Sequence, residues 1–193
     1  MRPPLTAYAD ESFLEHDLPG YYVVANAIVD RDQWEEARQT MNALRGGRRV
    51  GKTHWTEMDT LQRKQASDAV AAIEGLHIIA VGTPVPPRRQ ERARARCLER
   101  LVSELHGYGV ENLIMEARAP ALNKRDVRTV IGARYALPKG TRFTIEHVKG
   151  AEEPLLWVVD VLAGAVRAGH EGNEIYQSIL AERIYEIDVD TGC

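Results

Sequence analysis

Asp10, Glu116 and Asp160 stand out in this sequence as carboxylates whose surroundings call for a partner. Asp10 closes the short apolar-leaning run that begins at Leu5, and Glu116 closes Val110-Glu111-Asn112-Leu113-Ile114-Met115. Asp160 is the only charge between Leu155 and Val166, in a run that is otherwise almost wholly apolar. A carboxylate in such a place must meet a cation, a hydrogen-bond donor or a metal, or else keep its proton. Three acids brought together without basic partners repel one another, and divalent cations remove that conflict. Oxygen donors with open positions suit Mg²⁺ or Mn²⁺ better than zinc. A pair of such ions can activate a water, stabilise a leaving oxygen and hold a phosphodiester in line. Glu57, which follows a basic loop and His54-Trp55, is a fourth candidate.

Each acid also has a plainer reading. Asp10 can cap a helix or solvate a loop, Glu116 can pair with Arg118, and Asp160 can accept from an arginine or a backbone N–H. Glu11 faces away from Asp10 if the strand persists, because side chains alternate. His54 could orient a phosphate, shuttle a proton or simply be exposed in its loop. His147 shares a face with Phe143 and Ile145 and reads as a core histidine. The run Arg88 to Arg96 reads as a solvated helix face, with a nucleic-acid track as the alternative. The glycine-flanked loop from Arg45 to Lys52, with Arg48, Arg49 and Lys52, is the better basic rim for a phosphate. Gly46 and Gly51-Lys52-Thr53 match the spacing of a phosphate-binding loop, but the segment before them reads as helix rather than the strand such a loop follows.

These residues need a scaffold. The chain has 193 residues, 44% of them hydrophobic, enough for one ordinary domain with a full core. The net charge of -3 gives no global basic field for coating duplex. Two cysteines make neither a metal motif nor a disulfide framework. No signal peptide or membrane-spanning run is visible, so a cytoplasmic protein without a membrane partner is expected. Strands are expected at 5–10, 20–29, 76–83, 110–116 and 141–148. Helices are expected after Asp30 or Asp32, from Asp59 with its Gln62 box, from Arg88 to His106, from Asn123, over 155–166 and over 174–183, before a final extended piece. The later strand–helix–strand units favour parallel neighbours, giving a mixed α/β sheet with helices on both faces.

Four motifs together resemble the domain of unknown function 3800, a ribonuclease H-like group. They are Tyr-Ala-Asp-Glu-Ser at 8–12, His-Trp-Thr-Glu at 54–57, Leu-Ile-Met-Glu-Ala-Arg at 113–118, and Glu-Pro-Leu-Leu-Trp-Val-Val-Asp-Val-Leu-Ala-Gly-Ala-Val at 153–166. The resemblance runs from Tyr8 to about Ile184. It implies one ribonuclease H-like domain over 1–193 with a helical insertion at about 30–75. Its five-stranded sheet would have three antiparallel strands followed by two parallel ones. It maps the family's acidic cluster onto Asp10, Glu57, Glu116 and Asp160, with Asp126 and Arg118 in support. Arg48, Arg49, Lys52, His54 and Arg118 would contact a DNA or RNA substrate. Trp157 stands where members often have glutamine, Phe13 where many have glycine, and Glu116 where aspartate is common. Glu57 precedes the third strand, whereas the ribonuclease H glutamate normally lies on the helix after it. The activity implied is a metal-dependent nuclease or phosphodiester hydrolase. The alternative is a non-catalytic module binding a protein or nucleic acid, its acids neutralised by Arg118, Arg125 or Arg128.

Overall fold

The run Tyr21-Tyr22-Val23-Val24-Ala25-Asn26-Ala27-Ile28-Val29 is nearly unbroken in aromatic, β-branched and small residues, the pattern of a strand covered on both faces. In the computed structural model, which describes residues 4–14, 20–45 and 54–193, it lies within strand β2 (Gly20–Val29), buried along almost its whole length. β1 (Leu5–Leu14) pairs antiparallel with it, from Ala7 opposite Ile28 to Leu14 opposite Tyr21. β1 therefore runs well past Asp10, where a strand end was expected, because β2 still offers it a ladder there. β3 (Gly75–Val85) is antiparallel to the other edge of β2. β4 (Val110–Glu116) adds parallel to β1, and β5 (Thr144–Val148) parallel to β4. The expected three antiparallel and two parallel strands are all present. A sixth, β6 (Ile184–Asp190), lies parallel to β3 and extends the sheet to the order β5-β4-β1-β2-β3-β6. The final extended piece is thus part of the sheet, at the edge.

Helices cover both faces. α1 (Trp34–Arg45) and α2 (Thr60–Ala72) lie between β2 and β3 in sequence, and Asp59 and Gln62 form the expected capping box of α2. α5 (Leu155–His170) and the short α6 (Ile175–Leu180) join them in one core with Tyr8, Val23 and Ile79. α3 (Gln90–Gly107) and α4 (Pro120–Arg134) close the other face over Ala9, Val24 and Ile78. α4 begins at Pro120 rather than Asn123, since proline at the first turn forfeits no hydrogen bond. Asn123 instead accepts the backbone N–H of Arg118 at 2.9 Å and closes the turn after β4.

α5 is the helix around which the upper face packs. Between Leu155 and Val166 every residue except Asp160 is buried. Glu153 ties down its start, accepting the N–H of Leu155 and holding Arg38 through both carboxylate oxygens at 3.0 and 2.7 Å. Among the described residues no helix is long and apolar enough to cross a membrane.

Candidate active site at the carboxyl end of the sheet

β1 outruns β4. Their pairing ends at Ala9 opposite Met115, so the stretch from Asp10 onward has β2 on one side and a cleft beyond the end of β4. The cleft encloses about 350 Å³ and is lined by Asp10, Glu11, Ser12, Phe13, His54, Glu116, Asp160 and Arg167. Asp10, Glu116 and Asp160 thus come from β1, β4 and α5 to one place at the carboxyl ends of parallel neighbours, where open α/β sheets gather ligands.

Each carboxylate is held by a different device. Asp10, almost fully buried, accepts the N–H of Glu11 on its Oδ1 at 2.8 Å. Asp160 accepts the backbone N–H of Trp55 on Oδ2 at 2.8 Å, which is the plainer reading of this residue and leaves it lining the cleft. Trp55 itself opens a single turn of 3-10 helix, Trp55–Glu57. Its indole lies flat on α5 at Gly164, where a Cβ would stand 2.2 Å from the ring. Tyr176 meets it edge-on at 5.1 Å, and the Arg63 guanidinium lies 5.3 Å from its ring. The small residue one turn beyond Asp160 therefore serves to seat the tryptophan whose amide holds Asp160. Glu116 rests against Gly150, where a Cβ would fall 2.4 Å from Oε1. That loop is fixed by the Trp157 indole, which donates to the Gly150 carbonyl at 2.6 Å.

The other face of β1 is built on opposite terms. Glu11 points away from Asp10, as alternation requires, and its carboxylate meets Arg94 Nη1 at 2.5 Å and Arg118 Nε at 3.7 Å. Arg94 is 1% exposed, although the charge run around it reads as a solvated face. Its Nε and Nη2 each reach Asp126 at 2.9 Å, and Nη1 donates to the Tyr22 hydroxyl at 3.4 Å. Arg118 adds contacts to Glu91 at 2.6 Å and Asp126 at 3.1 Å, and His147 Nε2 lies 3.2 Å from Asp126. Burial by itself would raise the Asp126 carboxyl. Hydrogen bonds from His147 and Arg94, with the Arg94 and Arg118 charges, hold it well below the usual carboxylate range. Burial and the charge of Asp10 push Glu11 upward, against Arg94 and Arg118.

The expected site residues therefore divide. Asp10, Glu116, Asp160 and His54 line one cleft. Glu57 is exposed and outside that lining, two residues beyond the amide that holds Asp160. Arg118 is engaged with Glu11, Glu91 and Asp126 below the cleft. Arg48, Arg49 and Lys52 fall outside the described residues. His147 is half-buried on its expected face, with Asp126 as its partner. Sequence reasoning missed Arg94 and Arg167. Arg94 carries a readable signal, since it lies in helical register with the buried Leu98, Leu101 and Leu105. Arg167 follows Asp160 by seven residues, nearly two helical turns, and so shares its face. Cys97 offers no nucleophile, because burial pushes its thiol up to about 12.

The carboxylate oxygens of Asp10, Glu116 and Asp160 in the cleft suit a hard divalent cation. Among the described residues no three such side chains already stand at enclosing distance.

No protein-family model matches the chain, and no curated protein matches it. Among solved structures it is similar to the PCNA:RNase HII complex from Archaeoglobus fulgidus, with a TM-score of 0.53 at 14% identity over 90% of this chain and 76% of that one. It is also similar to the ribonuclease H2 from Pyrococcus horikoshii OT3, with a TM-score of 0.52 at 15% identity over the same 90% and 76%. The likeness is one of fold. The chain is an α/β protein with a ribonuclease H-like mixed sheet.

Proposed function

We propose that this chain is a metal-dependent nuclease, or another phosphodiester hydrolase, of the group represented by the domain of unknown function 3800. The observation that carries this reading is the meeting of Asp10, Glu116 and Asp160 in one cleft at the carboxyl end of a ribonuclease H-like sheet. The four motifs of the resemblance support it, and they span 8–166 in the order the family has them. On the same reading the chain is a single domain with α1 and α2 as its helical insertion. Its substrate is DNA or RNA, and its two free thiols suit the cytoplasm.

Asp10, Glu116 and Asp160 would hold Mg²⁺ or Mn²⁺, with Trp55 and Glu11 lending backbone amides that aim two of the three carboxylates. The cations would supply positive charge to the phosphate and lower the pKa of an attacking water. The protein's own part is to position. Arg167 stands at the wall of the cleft beside β1 to meet a phosphate, and His54 is exposed on its lip to exchange protons with solvent.

The test is the melting temperature with and without Mn²⁺ or Mg²⁺, in wild type and in Asp160→Asn. A cation bound only by the native state adds about 2.7 kcal/mol at a hundredfold excess over its Kd. Asparagine keeps an oxygen to accept the Trp55 N–H, so the fold persists while the charge is lost. The expected result is a metal-dependent rise in wild type, none in the variant, and hydrolysis of oligonucleotides by wild type alone. Neither a shift nor cleavage in wild type would turn the reading to a non-catalytic binding module.

A further inference from the structure

The start of α3 carries charge of the wrong sign. Arg89 is its N-cap residue and Arg92 lies in its first turn, where the partial positive charge of a helix start favours acids. The one acid in that turn, Glu91, is taken by Arg118 at 2.6 Å. Alongside, α4 has no acid in its first turn, and Lys124, Arg125 and Arg128 are exposed along it. Arg88, just ahead of α3, has a φ of 65°, in the left-handed region that favours glycine. Cations gathered where local structure disfavours them cost stability that a bound anion would offset.

Between the two helices lies a groove of about 340 Å³, lined by Glu91 and Arg92 from α3 and by Arg125, Asp126 and Arg128 from α4. Its acids are spent. Asp126 is held by Arg94, Arg118 and His147, and Glu91 by Arg118. Its arginines are not. Arg92 donates to the carbonyls of Thr191 and Gly192, and Arg128 to that of Lys124, so both keep their full charge. Arg125 has no ion-pair partner among the described residues. Farther along α3 the pattern reverses, and Arg96 and Arg100 each meet a glutamate, at 2.7 and 2.5 Å. A chain of net charge -3 thus concentrates uncompensated guanidiniums on the walls of one groove. Guanidiniums are suited to phosphate, which they bind through two parallel N–H groups.

The groove also lies at the working end of the sheet. β3 and β4 both run parallel to β1, and α3 and α4 begin a few residues beyond their carboxyl ends. Arg118 joins the two cavities, reaching Glu11 in the cleft lining at 3.7 Å and Glu91 and Asp126 in the groove lining at 2.6 and 3.1 Å. One guanidinium separates them, so a polymer held in one is within reach of the other. We infer that the α3–α4 groove is a second contact for nucleic acid, in which Arg92, Arg125 and Arg128 hold backbone phosphates away from the scissile one. This rests on the nuclease reading for the class of polymer, but its test does not depend on turnover.

Binding of fluorescent oligonucleotides, single-stranded and duplex, is measured against salt in Ca²⁺ to leave them intact. The variant Arg125→Gln with Arg128→Gln removes two guanidiniums that hold no acid, so it should melt with wild type. Its slope of log K against log salt should be shallower by about 1.4 on a single strand or about 1.8 on duplex, two phosphate contacts in either case. Arg96→Gln with Arg100→Gln makes the same change in net charge on the paired part of α3 and should leave the slope where it was. Equal slopes in wild type and the Arg125/Arg128 variant would overturn the inference, as would an equal loss in the Arg96/Arg100 control. Failure of wild type to bind any oligonucleotide would overturn it too. Polyglutamate that displaces the oligonucleotide as well as an unlabelled strand of equal charge would reassign the groove to an acidic protein. Cleavage in Mg²⁺ or Mn²⁺ with no change of slope in the variant would sink the groove and leave the nuclease reading standing. Groove-dependent binding without cleavage under any divalent metal would do the reverse.

Discussion

The two faces of β1 just past Ala9 carry neighbouring acids in opposite circumstances. Glu11 lies on the α3 side against a guanidinium that is 1% exposed, and Asp126 accepts two hydrogen bonds from the same group. Asp10 lies on the α5 side, where its neighbours Glu116 and Asp160 open on a cleft and where backbone amides from Glu11 and Trp55 aim two of the three carboxylates. A buried ion network fixes geometry, because each charge left alone would face a large desolvation cost. An amide aims a carboxylate through one lone pair while the group still lines the cleft. The chain therefore places a buried ion cluster on one face of β1 directly behind the carboxylates that line the cleft on the other.

The largest expected effect breaks the locked side. Arg94→Met keeps most of the side-chain volume but leaves Glu11 and the buried Asp126 without the more deeply buried of the two guanidiniums they share. Removing one member of such a cluster costs about 3–5 kcal/mol. Denaturant unfolding should register that loss, whereas Asp160→Asn on the open side should be nearly as stable as wild type. A stable Arg94→Met protein would mean that Arg118 and His147 alone neutralise the pair, and that the contrast between the faces is overdrawn.

A smaller effect is expected where the open side borrows rigidity from packing. In Gly164→Ala the new methyl would overlap the Trp55 ring, so the indole must shift, and Trp55 is boxed in by Tyr176 and Arg63. Overpacking of this kind costs about 1–3 kcal/mol. As the indole shifts, its amide should leave Asp160, so metal-dependent stabilisation should fall along with the melting temperature. Loss of stability with unchanged metal response would separate the tryptophan seat from the aim of Asp160.

These contrasts were unevenly legible in the sequence. The opposed directions of Asp10 and Glu11 follow from strand alternation. The solitary charge of Asp160 in an apolar helix marked the residue, but nothing local marks its partner, a backbone amide 105 residues earlier in the chain. The sheet's sixth strand read only as an extended tail, because Tyr185 to Asp190 alternate apolar and acidic residues but nothing local says which strand they pair with. Arg94 was hidden by composition. In a run of five arginines the solvated majority sets the impression, and only the helical register shows that one of them turns inward. Glu57 matched a motif by spacing, yet the motif's structural work is done by the tryptophan two residues before it.

The finest test of the comparison is Gly150→Ala. A Cβ there would displace Glu116 Oε1, which stands 2.4 Å from its position, and the atom displaced is the far end of a flexible side chain rather than backbone. Stability should therefore change less than in Gly164→Ala, where the atoms in the way belong to a boxed-in ring. The carboxylate, however, can escape the methyl only by rotating, and its direction is what a shared cation would sense. Metal titration followed by the melting shift should show weaker binding in Gly150→Ala than in wild type, with the unliganded proteins melting together. The locked face would tolerate no comparable displacement, because Asp126 is gripped through both oxygens. If the variant binds metal as tightly as wild type, Glu116 is not steered by Gly150, and its role in the cleft is set by the length of its own side chain.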